Sequence, residues 1–206
     1  MSLINFDKVF YINCEHRIDR RQSIESVFES IGFNDYERIE AYYIPDNGAL
    51  GCAKSHLKAL RRAKKNNYKN VLILEDDFIL NVNPDLFNQS INSFFTKDIN
   101  WDILMISSNL VKYQRCEEDY LLRVIEAQTT SGYAVNSNYF DKLIDNFSEA
   151  KTLLTGSERV NGWYVDAIDQ YWKKLQNDNW FCFNPVLGKQ SDGYSDIEKR
   201  EVNYGC

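Results

Sequence analysis

The sequence has little that would commit it to a membrane, a nucleic acid or an oxidising compartment. No apolar run approaches the roughly 20 residues that cross a bilayer. The start, Met1-Ser2-Leu3-Ile4-Asn5-Phe6-Asp7, lacks a basic region followed by a long apolar one. Apart from Arg61-Arg62-Ala63-Lys64-Lys65, read as the exposed end of a helix, there is no basic block. The formal charge is 24 minus 30, or −6, so the overall field works against a nucleic-acid or anionic-membrane partner. The five cysteines, Cys14, Cys52, Cys116, Cys182 and Cys206, are scattered, odd in number and without paired metal-ligand spacing. They are expected to be reduced thiols of a soluble cytoplasmic protein, since a secreted disulfide framework uses cysteine densely and in pairs. There is no internal repeat, no low-complexity segment and no linker rich in proline, glycine or serine. A glycine-rich phosphate loop is also missing, which weighs against nucleotidyltransferase chemistry.

What is present suits one α/β domain over residues 1–206. Apolar residues at 44% and charged residues at 26% are ordinary for a globular chain that buries a sizeable core. Aromatics at 14% exceed what the charge balance alone would suggest; most are expected in the core and some along a sugar or base pocket.

The stretch Val71-Leu72-Ile73-Leu74-Glu75-Asp76-Asp77 is the centre of the reading. Four branched apolar residues in a row make a strand buried on both faces, and the strand stops at three acids. Ligands of open parallel sheets bind beyond the carboxyl ends of the strands, so carboxylates there point into a site. Alternation puts Glu75 and Asp77 on one side and Asp76 on the other. Two carboxylates on the same side repel unless a cation lies between them, and oxygen ligands suit magnesium or manganese. The plain alternative is a solvated acidic turn.

Taken in order, Lys8 to Ile12 is a first strand, and Ile24, Val27, Phe28 and Ile31 mark one face of a helix ended by Gly32. The loop between carries Asn13, His16, Arg17, Arg20 and Arg21. Their guanidinium forks match phosphate oxygens, unless they merely pair with Asp19 and Glu25. Arg38 to Ile44 reads as a strand and Pro45 to Gly48 as a turn. Leu50, Ala53, Leu57 and Leu60 then recur at helical spacing, and Gly48, Ala49, Gly51 and Ala53 allow close approach of another backbone or a ligand. His56 on that helix is either a hydrogen-bonded core histidine or part of a site. Pro84-Asp85 opens a helix bearing Leu86, Phe87, Ile91, Phe94 and Phe95, and Trp101 to Ile106 is the next strand.

Leu110 to Asp119 has no period and is read as an insertion loop, a lid or an acceptor surface. Leu121 to Ala127 and Gly132 to Val135 read as two short strands. Asn136 or Ser137 caps a helix with Tyr139, Phe140, Leu143, Ile144 and Phe147 inside. A further helix is expected from about Trp163 to Leu175, with Asp166 and Asp169 favourable against its dipole. Trp180 to Asn184 is a last strand, and Gly188 to Gly193, with Lys189 and Gln190, a loop that wraps a ligand or trails off. Alternating strands and helices in a chain of this length give a three-layer α/β/α domain.

Several of these stretches together resemble glycosyltransferase family 25, the lipooligosaccharide and procollagen galactosyltransferase family. They are Phe10-Tyr11-Ile12-Asn13 with Arg17, Asp19, Arg20 and Arg21; Gly48 through His56; and Leu72 through Asp77. Ser131-Gly132-Tyr133-Ala134-Val135, Asp166, Gln190 and Ser195-Asp196-Ile197 follow in the expected order. The resemblance implies a GT-A type, Rossmann-like fold with a mostly parallel central sheet. It implies a nucleotide-sugar donor, UDP-galactose or UDP-glucose, a divalent metal, Mn2+ or Mg2+, and inverting transfer to a hydroxyl of a saccharide or glycoprotein. Asp77 would be the main metal ligand, with Glu75 as a second, and Glu75 or Asp76 would act through water or hold the ribose. Asn13, Arg17 and Arg20 would approach the nucleotide, Ser55, His56, Lys189 and Gln190 would line the donor side, and Asp166 would be the base. His16 and His56 are the only histidines and both precede the acids, so the late metal-binding histidine of many GT-A enzymes is missing. Gln190, Ser191, Asp192 or water would complete the coordination. A non-catalytic glycan or nucleotide-sugar binding protein of the same fold is the competing expectation.

Overall fold

The computed structural model describes residues 5–156, 164–195 and 200–202. The first part alternates strictly: β1 (Lys8–Asn13), α1 (Ile18–Ser30), β2 (Tyr36–Glu40), α2 (Gly48–Lys65) and β3 (Asn70–Glu75). β1 lies between β2 and β3 and runs parallel to both. After β4 (Phe78–Leu80) and α3 (Pro84–Phe95) come the two long strands β5 (Ile103–Arg115) and β6 (Leu121–Asn136). A 3-10 turn (Ser137–Tyr139) leads into α4 (Phe140–Leu154). Past it lie α5 (Ile168–Tyr171), a second 3-10 turn (Trp172–Leu175), β7 (Trp180–Phe183), β8 (Gly188–Gln190), β9 (Gly193–Ser195) and β10 (Arg200–Val202).

The main sheet has the order β2-β1-β3-β6-β7-β5-β8-β4, and β9 and β10 pair separately. Six of its eight strands run in one sense, with β6 and β4 opposed, as the pairings require. Alternation sorts the apolar residues into two layers. Val9, Tyr11, Leu72 and Leu74 meet Ile24, Phe28, Phe87, Ile91 and Phe94 of α1 and α3. Phe10, Ile12, Val71 and Ile73 meet Ala53, Leu57, Leu60, Leu143, Phe147 and Ile168 of α2, α4 and α5. Each large side chain taken fully out of water contributes about 1.5–3 kcal/mol, which makes these two layers the main source of stability. The helix starts follow local chemistry: Asn47 and Asn83 side chains accept from Leu50 N and Leu86 N, at 3.0 and 2.8 Å. The basic run ends α2, with Arg62, Lys64 and Lys65 in the last turn, where cations oppose the helix dipole.

Five regions differ from the sequence reading. Residues 110–115 are not a loop but the outer half of β5. Register shifts between Leu110 and Lys112 and between Lys112 and Tyr113 erase the period-two signal, and the strand persists because β6 pairs with it. The two short strands at 121–127 and 132–135 are one strand, β6. β7 pairs with the start of β5 and also with the start of β6, so the hairpin curls back on itself. β2 stops at Glu40, and residues 41–44 cross α2 as extended chain. Gly188 to Gly193 carries β8 and part of β9 instead of a loop, since β8 finds partners in β4 and in Ser107 of β5. The expected helix to Leu175 is four residues of α5 and a 3-10 turn; Trp163, its expected start, lies outside the described residues, as do Asp196, Ile197 and Cys206.

Candidate active site

Parallel neighbours end at the same edge, so Asn13 at the end of β1 and Glu75 at the end of β3 come together there. The chain leaves the sheet after Glu75, and Asp76-Asp77 form the turn into β4. Alternation therefore fails beyond Glu75. Both aspartates turn to one guanidinium nitrogen, Arg20 Nη1, which lies 3.2 Å from Asp76 Oδ1 and 3.1 Å from Asp77 Oδ2. Asn13 Nδ2 donates to Asp76 Oδ2 at 2.7 Å and to the Arg17 carbonyl at 3.0 Å, while Arg38 Nε donates to Asn13 Oδ1. Glu75 turns the other way, with Oε1 accepting from Thr130 Oγ1 at 2.6 Å and lying 3.1 Å from His56 Nε2. His56 Nδ1 meets the Tyr133 hydroxyl at 2.8 Å, so the histidine is fully buried and tied at both nitrogens.

The other lip is the crossing chain 41–44. Ser55 Oγ accepts from Tyr42 N at 2.8 Å and donates to Gly51 O at 2.7 Å. A Cβ on Gly51 would lie 2.4 Å from the Tyr42 carbonyl oxygen, so only glycine permits this approach. Between the lips is a cleft of about 760 Å³, part of it open to solvent, with Glu75, Asp76 and Asp77 among its lining residues. Arg20, Cys52, Ser55, His56 and Gln190 also line it, and Tyr42 and Tyr43 stand exposed at its rim.

Burial, followed by the nearby Glu75 charge, pushes the Asp77 carboxyl up to about 7. Burial also raises Asp76, against the opposing pull of Arg20. For Glu75 burial acts in the same direction, yet the His56 and Thr130 hydrogen bonds hold it below the usual carboxylate range. Cys52 is driven well up by burial and then by the charge of Glu75, and is a thiol. Asp77 Oδ1 is buried without a hydrogen-bond partner. An acid so enclosed, facing other acids and with an unused oxygen, fits a hard divalent cation. Cys52, His56 and Glu75 also bring one ligand atom each within 4.8 Å of one another. That set contains sulfur and nitrogen and suits a softer ion such as zinc, whereas Asp77 and Glu75 offer the oxygens that magnesium and manganese favour.

The expected site residues divide by position. Arg20, Ser55, His56, Glu75, Asp76, Asp77 and Gln190 line one cleft, and Gln190 Nε2 lies 3.5 Å from Asp77 Oδ2. Asn13 and Arg17 stand behind that lining: Asn13 orients Asp76, and Arg17 caps α1 with its guanidinium on Asp19 and near the Tyr194 carbonyl. Lys189 faces Ile79 across the β4–β8 ladder and is outside the cleft lining. Asp166 lies half-buried in the turn ahead of α5. Sequence reasoning gave no site role to Cys52, Thr130 or Tyr133. Only Cys52 had a usable signal, being one helical turn before His56 on the same face.

The family model described as "Glycosyltransferase family 25 (LPS biosynthesis protein)" matches residues 46–160, more than half of the chain. The chain belongs to glycosyltransferase family 25. The matched segment runs through the α2 start, the acids and β6, so this family 25 glycosyltransferase carries the family pattern across the cleft itself. Among solved structures it is similar to a glycosyltransferase involved in the glycosylation of the major capsid of PBCV-1. The TM-score is 0.53 at 14% identity, over 93% of this chain and 98% of that one, and the likeness shows the fold. A197 from STIV, at 9% identity over 95% and 92% of the two chains, has a TM-score of 0.49. The mannose-1-phosphate geranyltransferase from Thermus thermophilus, at 8% identity over 93% and 76%, has one of 0.47. No curated protein matches the sequence.

Proposed function

We propose that this glycosyltransferase, a single domain over residues 1–206, moves galactose or glucose from a UDP-sugar to a hydroxyl of a saccharide or glycoprotein, with inversion and with Mn2+ or Mg2+. The observation that carries this reading is the buried, unpartnered Asp77 Oδ1 in a cleft that Glu75 and Asp76 also line. Asp77 and Glu75 would hold the cation, which would supply charge to offset that building on the departing diphosphate. Arg20, already compensating Asp76 and Asp77, is within reach of donor phosphates, and Arg17 adds charge behind it. Asp76, fixed by Asn13 and Arg20, is oriented to accept from a ribose hydroxyl. Ser55 keeps the 41–44 lip closed over the donor, His56 orients Glu75, and Gln190 with its neighbour Lys189 completes the tail side. The proton acceptor comes from the segment that starts at Asp166 and enters α5, Asp166 being the residue implied by the family resemblance.

Four described cysteines carry no disulfide, which supports a reducing compartment such as the cytoplasm. No helix among the described residues is long and apolar enough to cross a membrane. Release of UDP from UDP-galactose and UDP-glucose with Mn2+ tests the reading. Asp77→Ala is expected to lower release by at least about a thousandfold, the scale of a lost charge-stabilising group, and to remove the Mn2+ dependence of donor binding. Release at the wild-type rate would refute the assignment.

A further inference from the structure

Thr129 is a β-branched residue with φ of 85°, a conformation such side chains rarely adopt, in the middle of β6. The ladder to β5 breaks there, passing from the Asn109–Gln128 pair to the Ser107–Gly132 pair. Strain of about 1–3 kcal/mol persists only where the surroundings enforce it, and it clusters at functional sites. The kink does two things. It lets the Thr129 N–H leave the sheet and donate to Asp169 Oδ2 at 3.2 Å, and it aims the next hydroxyl, Thr130 Oγ1, at Glu75. One strand break thus links the first turn of α5 to the acids of the cleft.

Asp169 is held on one oxygen only. Gln170 Nε2 also donates to Oδ2, at 3.2 Å, and is itself anchored on Gln128 Oε1 at 2.9 Å. Oδ1 has no hydrogen-bond partner among the described residues, and Asp169 is half-buried just outside the cleft lining. The charged groups near Asp169 are Glu75 and Lys173, and its own charge reaches Cys52 in the cleft lining. Burial first, then Glu75, raises the Asp169 carboxyl, and Glu75 also raises Asp77, so Glu75 stands between two acids that retain protons more readily than usual. Asp166 lies three residues earlier, before the helix begins.

We propose that Asp169, and not Asp166, is the proton acceptor of the transfer, with the Thr129–Thr130 kink positioning it against the donor cleft. This rests on the glycosyltransferase reading above. The acceptor hydroxyl gives its proton to Asp169 Oδ1, and the acceptor oxygen forms a bond to the anomeric carbon. The bond from that carbon to the diphosphate oxygen breaks with its electron pair leaving on UDP. Inversion needs the base on the sugar face away from the leaving group; Asp169 is linked to Glu75 through Thr129 and Thr130, whereas Arg20 bonds Asp76 and Asp77.

The test uses the full chain with UDP-galactose and Mn2+, water serving as acceptor and UDP release as the signal. Asp169→Asn keeps an oxygen for Thr129 N. It is expected to lower kcat by about a hundredfold or more and to leave UDP-galactose affinity within about threefold because the donor's own contacts remain. Asp166→Asn is expected to lose at least about tenfold less, since it keeps the group credited with the proton transfer. Retention of more than about a tenth of the wild-type rate by Asp169→Asn, below the usual range for a lost base, overturns the proposal. So does an equal or larger loss in Asp166→Asn. If the wild type neither binds nor cleaves UDP-galactose or UDP-glucose, the donor reading fails and the base assignment falls with it; normal wild-type turnover with an active Asp169→Asn sinks the base assignment alone.

Discussion

One wall of the cleft is made of contiguous runs, Gly48 through His56 opening α2 and Glu75 through Asp77 ending β3, fixed by parallel strands and a capped helix. The facing side is made of single residues delivered from afar: Gln190 from β8 in the lining, and behind the lining Thr130 from the middle of β6, bonded to Glu75, and Asp169 from α5, bonded to Thr129 N. The first is set by local chain geometry, and close backbone contact holds it. The second depends on the curl of the β5–β6 hairpin, and a few scattered hydrogen bonds hold it. A change in the first wall should therefore act on stability, and one in the second on the alignment of Glu75.

The sharpest way to separate the walls is charge. Asp77 has its folded carboxyl at about 7 against an ordinary 3.8, so between those values the folded state binds more protons and stability falls as pH rises. Asp77→Asn, assayed without added cation, is expected to be more stable than wild type by about 2–4 kcal/mol at pH 8. The difference should shrink towards nil by pH 4, as read by denaturant unfolding at each pH. A constant difference across that range would mean the acid is not charge-strained. Gly51→Ala comes next. Its methyl would meet the Tyr42 carbonyl at 2.4 Å, so the lip must shift, at an expected cost of about 1–3 kcal/mol and a melting point lower by several degrees. An unchanged melt would show that the first wall is less rigid than its contacts indicate. Thr130→Val is the smallest: loss of one hydrogen bond to Glu75 costs about 1 kcal/mol. It should slow UDP release more than it lowers the melting point, and the reverse order would erase the distinction between the walls.

The same contrast explains what the sequence discloses. The strand and acids at 71–77 are legible because a short run of four branched apolar residues that stops at acids fits a doubly buried strand, and α1, α2, α3 and α4 are legible from their spacing. Residues 110–115 are not, because successive register shifts in β5 remove the alternation that marks a strand. β4 and β8 have three residues each and exist through their pairing, which no local pattern announces. Alternation groups Glu75 with Asp77, whereas the structure sets Glu75 apart from both aspartates, because the strand ends one residue earlier than alternation assumes. Thr129 leaves no sequence trace at all, since threonine is an ordinary strand residue and its φ is imposed by tertiary contacts.

The acid turn also reaches the closing strands. Ser191 N donates to the Asp77 carbonyl at 2.7 Å, and Arg20 Nη2 donates to the Tyr194 carbonyl at 2.9 Å. The turn is thus a knot where the Arg20 side chain of an early helix and the main chain of a late segment meet the end of a middle strand. Its backbone is tied to the closing segment at Asp77 while Asp77 Oδ1 stays without a partner, so what must give way to an incoming anion is the Arg20 side chain, and the frame behind it need not move.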